Sequence, residues 1–83
     1  SSELNDVLQK SLAERLVWAG TFSKPDESSR EVANLIQAAT QALETAPNLA
    51  FIESVKVLNH TLELLQKRVN PKLSMEWCVL HLP

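Results

Sequence analysis

Between residues 51 and 69 the apolar side chains Phe51, Val55, Leu58, Leu62, Leu65 and Val69 recur at alternating steps of four and three. That is the spacing of a helix packed against other helices along one seam, and a strand's period of two cannot bring these six residues to one face. Asn48, just after Pro47, is placed to cap the start of this helix. A chain built around such an element is committed to helical packing. Composition agrees: 14 Leu and 8 Ala stand against 2 Ile, no Asn-Gly or Asp-Gly hairpin pair occurs, and all-β and Rossmann-like folds are excluded.

The flanking segments follow the same logic. Leu4, Val7, Leu8, Leu12, Leu16 and Ala19 form a helical stripe with Ser2 as its N-cap and a stop near Gly20. The polar run Thr21 to Ser29, with Pro25 inside it, reads as a surface loop. Ser28 and Glu31 have capping-box spacing and are expected to open a second helix. Its stripe is Val32, Leu35, Ile36, Ala39, Leu43 and Ala46, and Ala38, Ala39 and Ala42 allow a neighbour to approach closely. After Val69, Asn70 and Pro71 break the seam helix and start a last one, Asn as N-cap and Pro at the first helical position. In that last helix Leu73, Met75, Trp77, Cys78, Val79, Leu80 and Leu82 reach almost all the way round, which calls for cover on every side. The expected architecture is a single all-α domain over 1–83, an irregular bundle of four helices near residues 3 to 20, 28 to 46, 49 to 69 and 71 to 82. At 83 residues there is room for one domain and no second, catalytic one.

Several function classes are disfavoured. A formal charge of −2 lacks the basic footprint of a duplex-binding protein, and neither Trp18 nor Trp77 is interleaved with basic residues in the manner that stacks bases. Lys67, Arg68 and Lys72 are read as complements to a helix C-terminus rather than as a phosphate site. The pairs His60 with Glu63 and Cys78 with His81 could each share a helix face, but neither Cys-x-x-Cys nor HExxH is present, so no metal is assigned. Cys78 sits in the most apolar decapeptide and is expected in the core, not as a nucleophile. With Gly20 as the single glycine there is no nucleophile elbow and no phosphate-cradling loop. The expectation is therefore no catalytic residue and no cofactor. One unpaired cysteine, no signal-type N-terminus and no apolar run near the roughly 20 residues of a membrane span point to a soluble, cytoplasmic chain. The chain opens inside a helical pattern without an initiating Met, which reads as a C-terminal piece of something longer.

The stretch Val69-Asn70-Pro71-Lys72-Leu73-Ser74-Met75-Glu76-Trp77-Cys78-Val79-Leu80-His81-Leu82 resembles the closing signature of bacterial DNA polymerase III clamp-loader subunits, of the delta-prime or tau/gamma type. There a Leu-rich helix runs into Asn-Pro-(basic)-Leu-x-x-Glu followed by paired apolar residues and a final Leu. The matching residues are Asn70, Pro71, Leu73, Glu76, Val79, Leu80 and Leu82, preceded by Leu58, Leu62 and Leu65. Trp77-Cys78 replaces smaller or aliphatic residues of the family, and four helices are fewer than a full collar domain has. The resemblance implies a collar domain that associates with the C-terminal domains of the other clamp-loader subunits and holds the AAA+ modules that open the sliding clamp in DNA replication. It implies no direct contact of this segment with nucleic acid, membrane or small molecule. The expected interface residues are Asn70, Pro71, Leu73, Glu76, Trp77 and Leu80, together with outward residues of the seam; Asn70 and Pro71 set the corner, and Glu76 pairs with a helix end or a basic residue. The rival reading is a free-standing helical adaptor or regulatory bundle that binds an amphipathic partner helix between its helices.

Overall fold

The computed structural model describes residues 3–83, so the capping role expected of Ser2 lies outside the described residues. All the regular structure among them is helical: α1 (Glu3–Gln9), α2 (Leu12–Ala19), α3 (Pro25–Thr45), α4 (Leu49–Gln66) and α5 (Pro71–His81). The all-α architecture holds, with five helices in place of the expected four.

The additional helix comes from a break at Lys10 and Ser11. Ser11 is extended (φ −65°, ψ 164°), its hydroxyl accepts from the Glu14 N–H at 3.2 Å, and its own N–H donates to Glu14 Oε1 at 2.8 Å. This reciprocal capping box satisfies two otherwise unpaired donors and fixes a new helix start. The break rotates α2 relative to α1, so the continuous stripe is lost: Leu4, Val7 and Ala19 are buried, but Leu12 is 53 % exposed and Arg15 takes an inward position.

The second capping box, expected at Ser28, is not formed. Pro25, whose fixed φ suits the first helical position, starts α3 three residues earlier, with Lys24 as an extended N-cap and Asp26 and Glu27 facing the positive helix end. Ser28 is fully buried inside the helix and its hydroxyl donates to the Lys24 carbonyl at 3.0 Å.

α3 and α4 form the most extensive helix pair, joined by the short link through Pro47. Their contact runs along Val32, Leu35 and Ala39 on one side and Phe51, Leu58 and Leu65 on the other, all buried. Asn48 caps α4 as expected, accepting from the Phe51 N–H at 3.2 Å. The seam, however, is offset from its apolar reading: the buried line is Phe51, Ser54, Leu58, Thr61 and Leu65, while Val55 and Leu62 are half-buried and Val69 is exposed. Small polar residues are tolerated there because each hydroxyl donates to a carbonyl one turn back, Ser54 to Ala50 at 2.7 Å and Thr61 to Val57 at 2.9 Å.

α4 ends at Gln66. Val69 N–H donates to the Leu64 carbonyl and Arg68 N–H to the Leu65 carbonyl, the bond pair of a Schellman ending, with Arg68 at φ 65° in the left-handed position usually held by glycine. The carbonyls at this helix end are thus met by backbone N–H groups, including that of Lys67, rather than by the basic side chains. α5 then packs on α2, α3 and α4.

Candidate functional site

The site is built on α5, whose register is set at its first turn. Asn70 accepts from the Leu73 N–H at 3.2 Å and Pro71 occupies the first helical position, so the corner forms as its residues require. From that start, Ser74, Met75, Cys78, Val79 and Leu82 turn inward and are buried. The helix is therefore not apolar all round in use: Ser74, a polar residue, lies in the core. At 3.6 residues per turn the remaining positions Leu73, Glu76, Trp77 and Leu80 fall within an arc of roughly 100° on the opposite side. Leu73 is 60 % exposed and Leu80 55 %, with Glu76 and Trp77 half-buried between them.

Trp77 is held in place from two sides of the sequence. The His81 ring stacks on the indole with centroids 4.2 Å apart and planes at 18°, and His60 of α4 packs on it at 4.5 Å and 48°. His81 Nδ1–H donates to the Trp77 carbonyl at 2.8 Å, which fixes the ring along the helix. A large aromatic, immobilised and flanked by two exposed leucines, is the arrangement from which contact surfaces draw most of their binding energy.

The seam contributes little to this surface. The seam residues Leu58 and Leu65 are consumed by the chain's own core, at 0 % and 5 % exposure, because α3 and α5 close over α4. Glu76 is half-buried on the outer side of α5, between the positions of Leu73 and Leu80.

The side chains weighed for chemistry do not converge. Cys78 is fully buried, and burial pushes its thiol up from the ordinary value; its contact with the Thr61 hydroxyl and the charge of Arg15 only partly offset this. His81, three residues on, is exposed, so the two do not present a common face. Among the described residues no group of three His, Cys, Asp or Glu side chains gathers within reach of one metal ion. No described helix is long and apolar enough to cross a membrane.

One functional-looking residue escapes sequence reading altogether. Arg15 is 9 % exposed; its Nη2 donates to the carbonyls of Leu8 and Pro83, both at 2.8 Å, and its Nη1 to that of Leu82 at 3.3 Å. It binds the end of α1 to the end of α5 and thereby holds the last turn of the candidate surface against the bundle. The signal that could have found it is the Ser11–Glu14 capping box, which turns position 15 inward. Comparison with known protein families, with curated proteins and with solved structures finds no match to this chain.

Proposed function

We propose that this chain is a helical subunit-assembly domain that docks through the outer face of α5, and that it serves as the collar segment of a bacterial DNA polymerase III clamp loader in cytoplasmic DNA replication. The observation that carries the assembly reading is the single face on which exposed Leu73 and Leu80 flank half-buried Trp77 on a capped helix. Each large apolar side chain fully covered by a partner stabilises the contact by roughly 1.5–3 kcal/mol, so three of them supply a substantial docking energy without help from a charge pair. The clamp-loader assignment draws on the Asn70 to Leu82 signature. Its residues divide by role: Val79 and Leu82 anchor α5 to the bundle, while Leu73, Glu76 and Leu80 face outward. In this role the segment does no chemistry. Its partners are the C-terminal domains of the other subunits, and it sets the relative placement of the ATPase modules they carry; nucleic acid, membrane and small molecules are not its ligands.

The test is co-expression with the other clamp-loader subunits of the same source, followed by size-exclusion chromatography with light scattering. A stable mixed complex is expected, lost in Leu80→Glu at unchanged helicity and with a stability change within about 0.5 kcal/mol, since the position is exposed. Trp77→Ala, half-buried, is expected to weaken both assembly and folding. A wild-type chain that elutes as a monomer beside those partners refutes the collar reading.

A further inference from the structure

α2 carries a shallow groove of about 470 Å³ lined by Lys10, Ala13, Glu14, Val17 and Trp18. Val17, at 74 % exposure, is the most exposed large apolar side chain described, and Ala13 one turn earlier leaves no bulk to keep another backbone away. Trp18 forms one wall and is braced edge-on by Phe22 at 5.0 Å. The groove is apolar at Ala13, Val17 and Trp18, carries Lys10 and Glu14 on its rim, and is open along one side, a form that suits the ridge of a helix better than an enclosed small molecule.

Its occupant is indicated by what adjoins it. Lys10 and Trp18 also line a second groove of about 310 Å³, whose other walls are Glu3, Asp6, Val7 and Glu31. Three carboxylates there face a single lysine. The excess of negative charge lies in that lining itself, three carboxylates to one lysine; burial of Glu31, and after it the negative charge of Glu3, raises the Glu31 carboxyl above its ordinary value. Glu14, on the rim of the first groove, adds a further carboxylate, one oxygen of which accepts from the Ser11 backbone N–H. An apolar trough that runs into uncompensated negative charge complements a helix with an apolar stripe and lysine or arginine beside it.

We propose that the trough of Ala13, Val17 and Trp18, continued by the carboxylates of Glu3, Asp6 and Glu31, is a docking site for a basic amphipathic helix of another protein. It is separate from the α5 face, and its loss and the loss of assembly through α5 are distinguishable by variant.

The probe is a fluorescein-labelled synthetic helix made of two copies of the heptad Leu-Lys-Lys-Leu-Leu-Lys-Leu, with a counterpart in which glutamate replaces every lysine, read by fluorescence anisotropy. The lysine peptide is expected to bind and the glutamate peptide not to. Val17→Glu separates docking from general attraction to an acidic protein: a new negative charge tightens non-specific binding of a basic peptide but blocks the trough, so roughly tenfold weaker binding is expected. Glu31→Gln is expected to weaken binding about threefold and to reduce its salt dependence, while Leu80→Glu leaves it unchanged. Equal or tighter binding by Val17→Glu overturns the proposal, as does equal affinity for the glutamate peptide or loss of binding in Leu80→Glu. Self-association of the chain alone that disappears in Val17→Glu also overturns it, by giving the trough to a second copy.

Discussion

Arg68 holds the one non-glycine residue of positive φ among those described, and the reason lies in its neighbours. Asn70 and Pro71 must begin a new helix almost at once, so α4 has to end abruptly, and the left-handed residue makes the reversal that brings the Val69 N–H onto the Leu64 carbonyl. An L side chain in that conformation costs about 1 kcal/mol relative to glycine. Arg68→Gly is therefore expected to raise the unfolding free energy by up to about 1 kcal/mol, against which the greater freedom of glycine in the unfolded chain acts as a discount. Urea unfolding followed by tryptophan fluorescence reads the difference, and a lower midpoint in the variant contradicts the assignment of strain. Sequence offered no sign of this position, because nothing in an arginine marks it as left-handed; only the end of the seam and the restart at Asn70 bound where it had to lie.

At the scale of the element, most of what was legible came from residues that punctuate the backbone themselves. Asn48 and Asn70 cap where they stand, Pro71 begins α5, and the helical class followed from the seam. The missed break at Ser11 and the misplaced start of α3 share one cause, which is that a pattern of letters occurs twice and the backbone uses it once. Ser-x-x-Glu stands at Ser11–Glu14 and at Ser28–Glu31. Pro25 settles the second case against capping by starting α3 upstream, whereas no proline or competing cap precedes Ser11. A similar substitution of role displaced the seam, since a hydroxyl that bonds its own helix packs inside as a small apolar group does, and this admitted Ser54 and Thr61 to the buried line. The candidate surface was legible to the extent that α5 begins at Pro71, since the register alone puts Leu73, Trp77 and Leu80 on one face; that His60 braces Trp77 from α4 depends on tertiary packing and was not. The two Ser-x-x-Glu pairs make a direct comparison. Ser11→Ala, which deletes a working cap, is expected to lower stability by about 1 kcal/mol. Ser28→Ala removes only a bond to a carbonyl that the Ser28 N–H already engages, and is expected to change stability by less than about half that amount. Equal losses in thermal melts of the two variants count against this division of roles.

Across the whole molecule, closure depends on two polar contacts of opposite character. Arg15 gathers carbonyls from Leu8, Leu82 and Pro83 around one buried guanidinium, joining the first and last helices. Arg15→Met keeps the aliphatic stem and removes the charge, but leaves three carbonyls without their donor, and a loss of about 2 kcal/mol is expected from the hydrogen bonds alone. Wild-type stability in that variant sinks the clamp role. The other contact, between Glu3 of α1 and Glu31 of α3, works against closure at neutral pH. Burial, the charge of Glu3 and a hydrogen bond with Glu3 all raise the Glu31 carboxyl above its ordinary 4.5. A group whose folded value is raised contributes stability that is complete below the unfolded value and is lost as pH rises through the folded one. The shared proton therefore holds α1 to α3 in acid, and the chain is expected to lose that contribution as pH climbs from 4.5 through the raised value. Glu14, lowered by its bonds to Ser11, changes stability in the opposite sense, but below 4.5, so the two windows do not overlap. Glu31→Gln keeps a hydrogen-bonding group beside Glu3 and cannot ionise. Its stability is expected to vary less than that of the wild type over the interval above 4.5, and to exceed the wild type's at neutral pH. Urea midpoints taken in steps of pH test this: curves that run parallel through the interval mean that the Glu3–Glu31 contact carries no net repulsion, and that the acidic end of the α2 groove is already neutralised in the free chain.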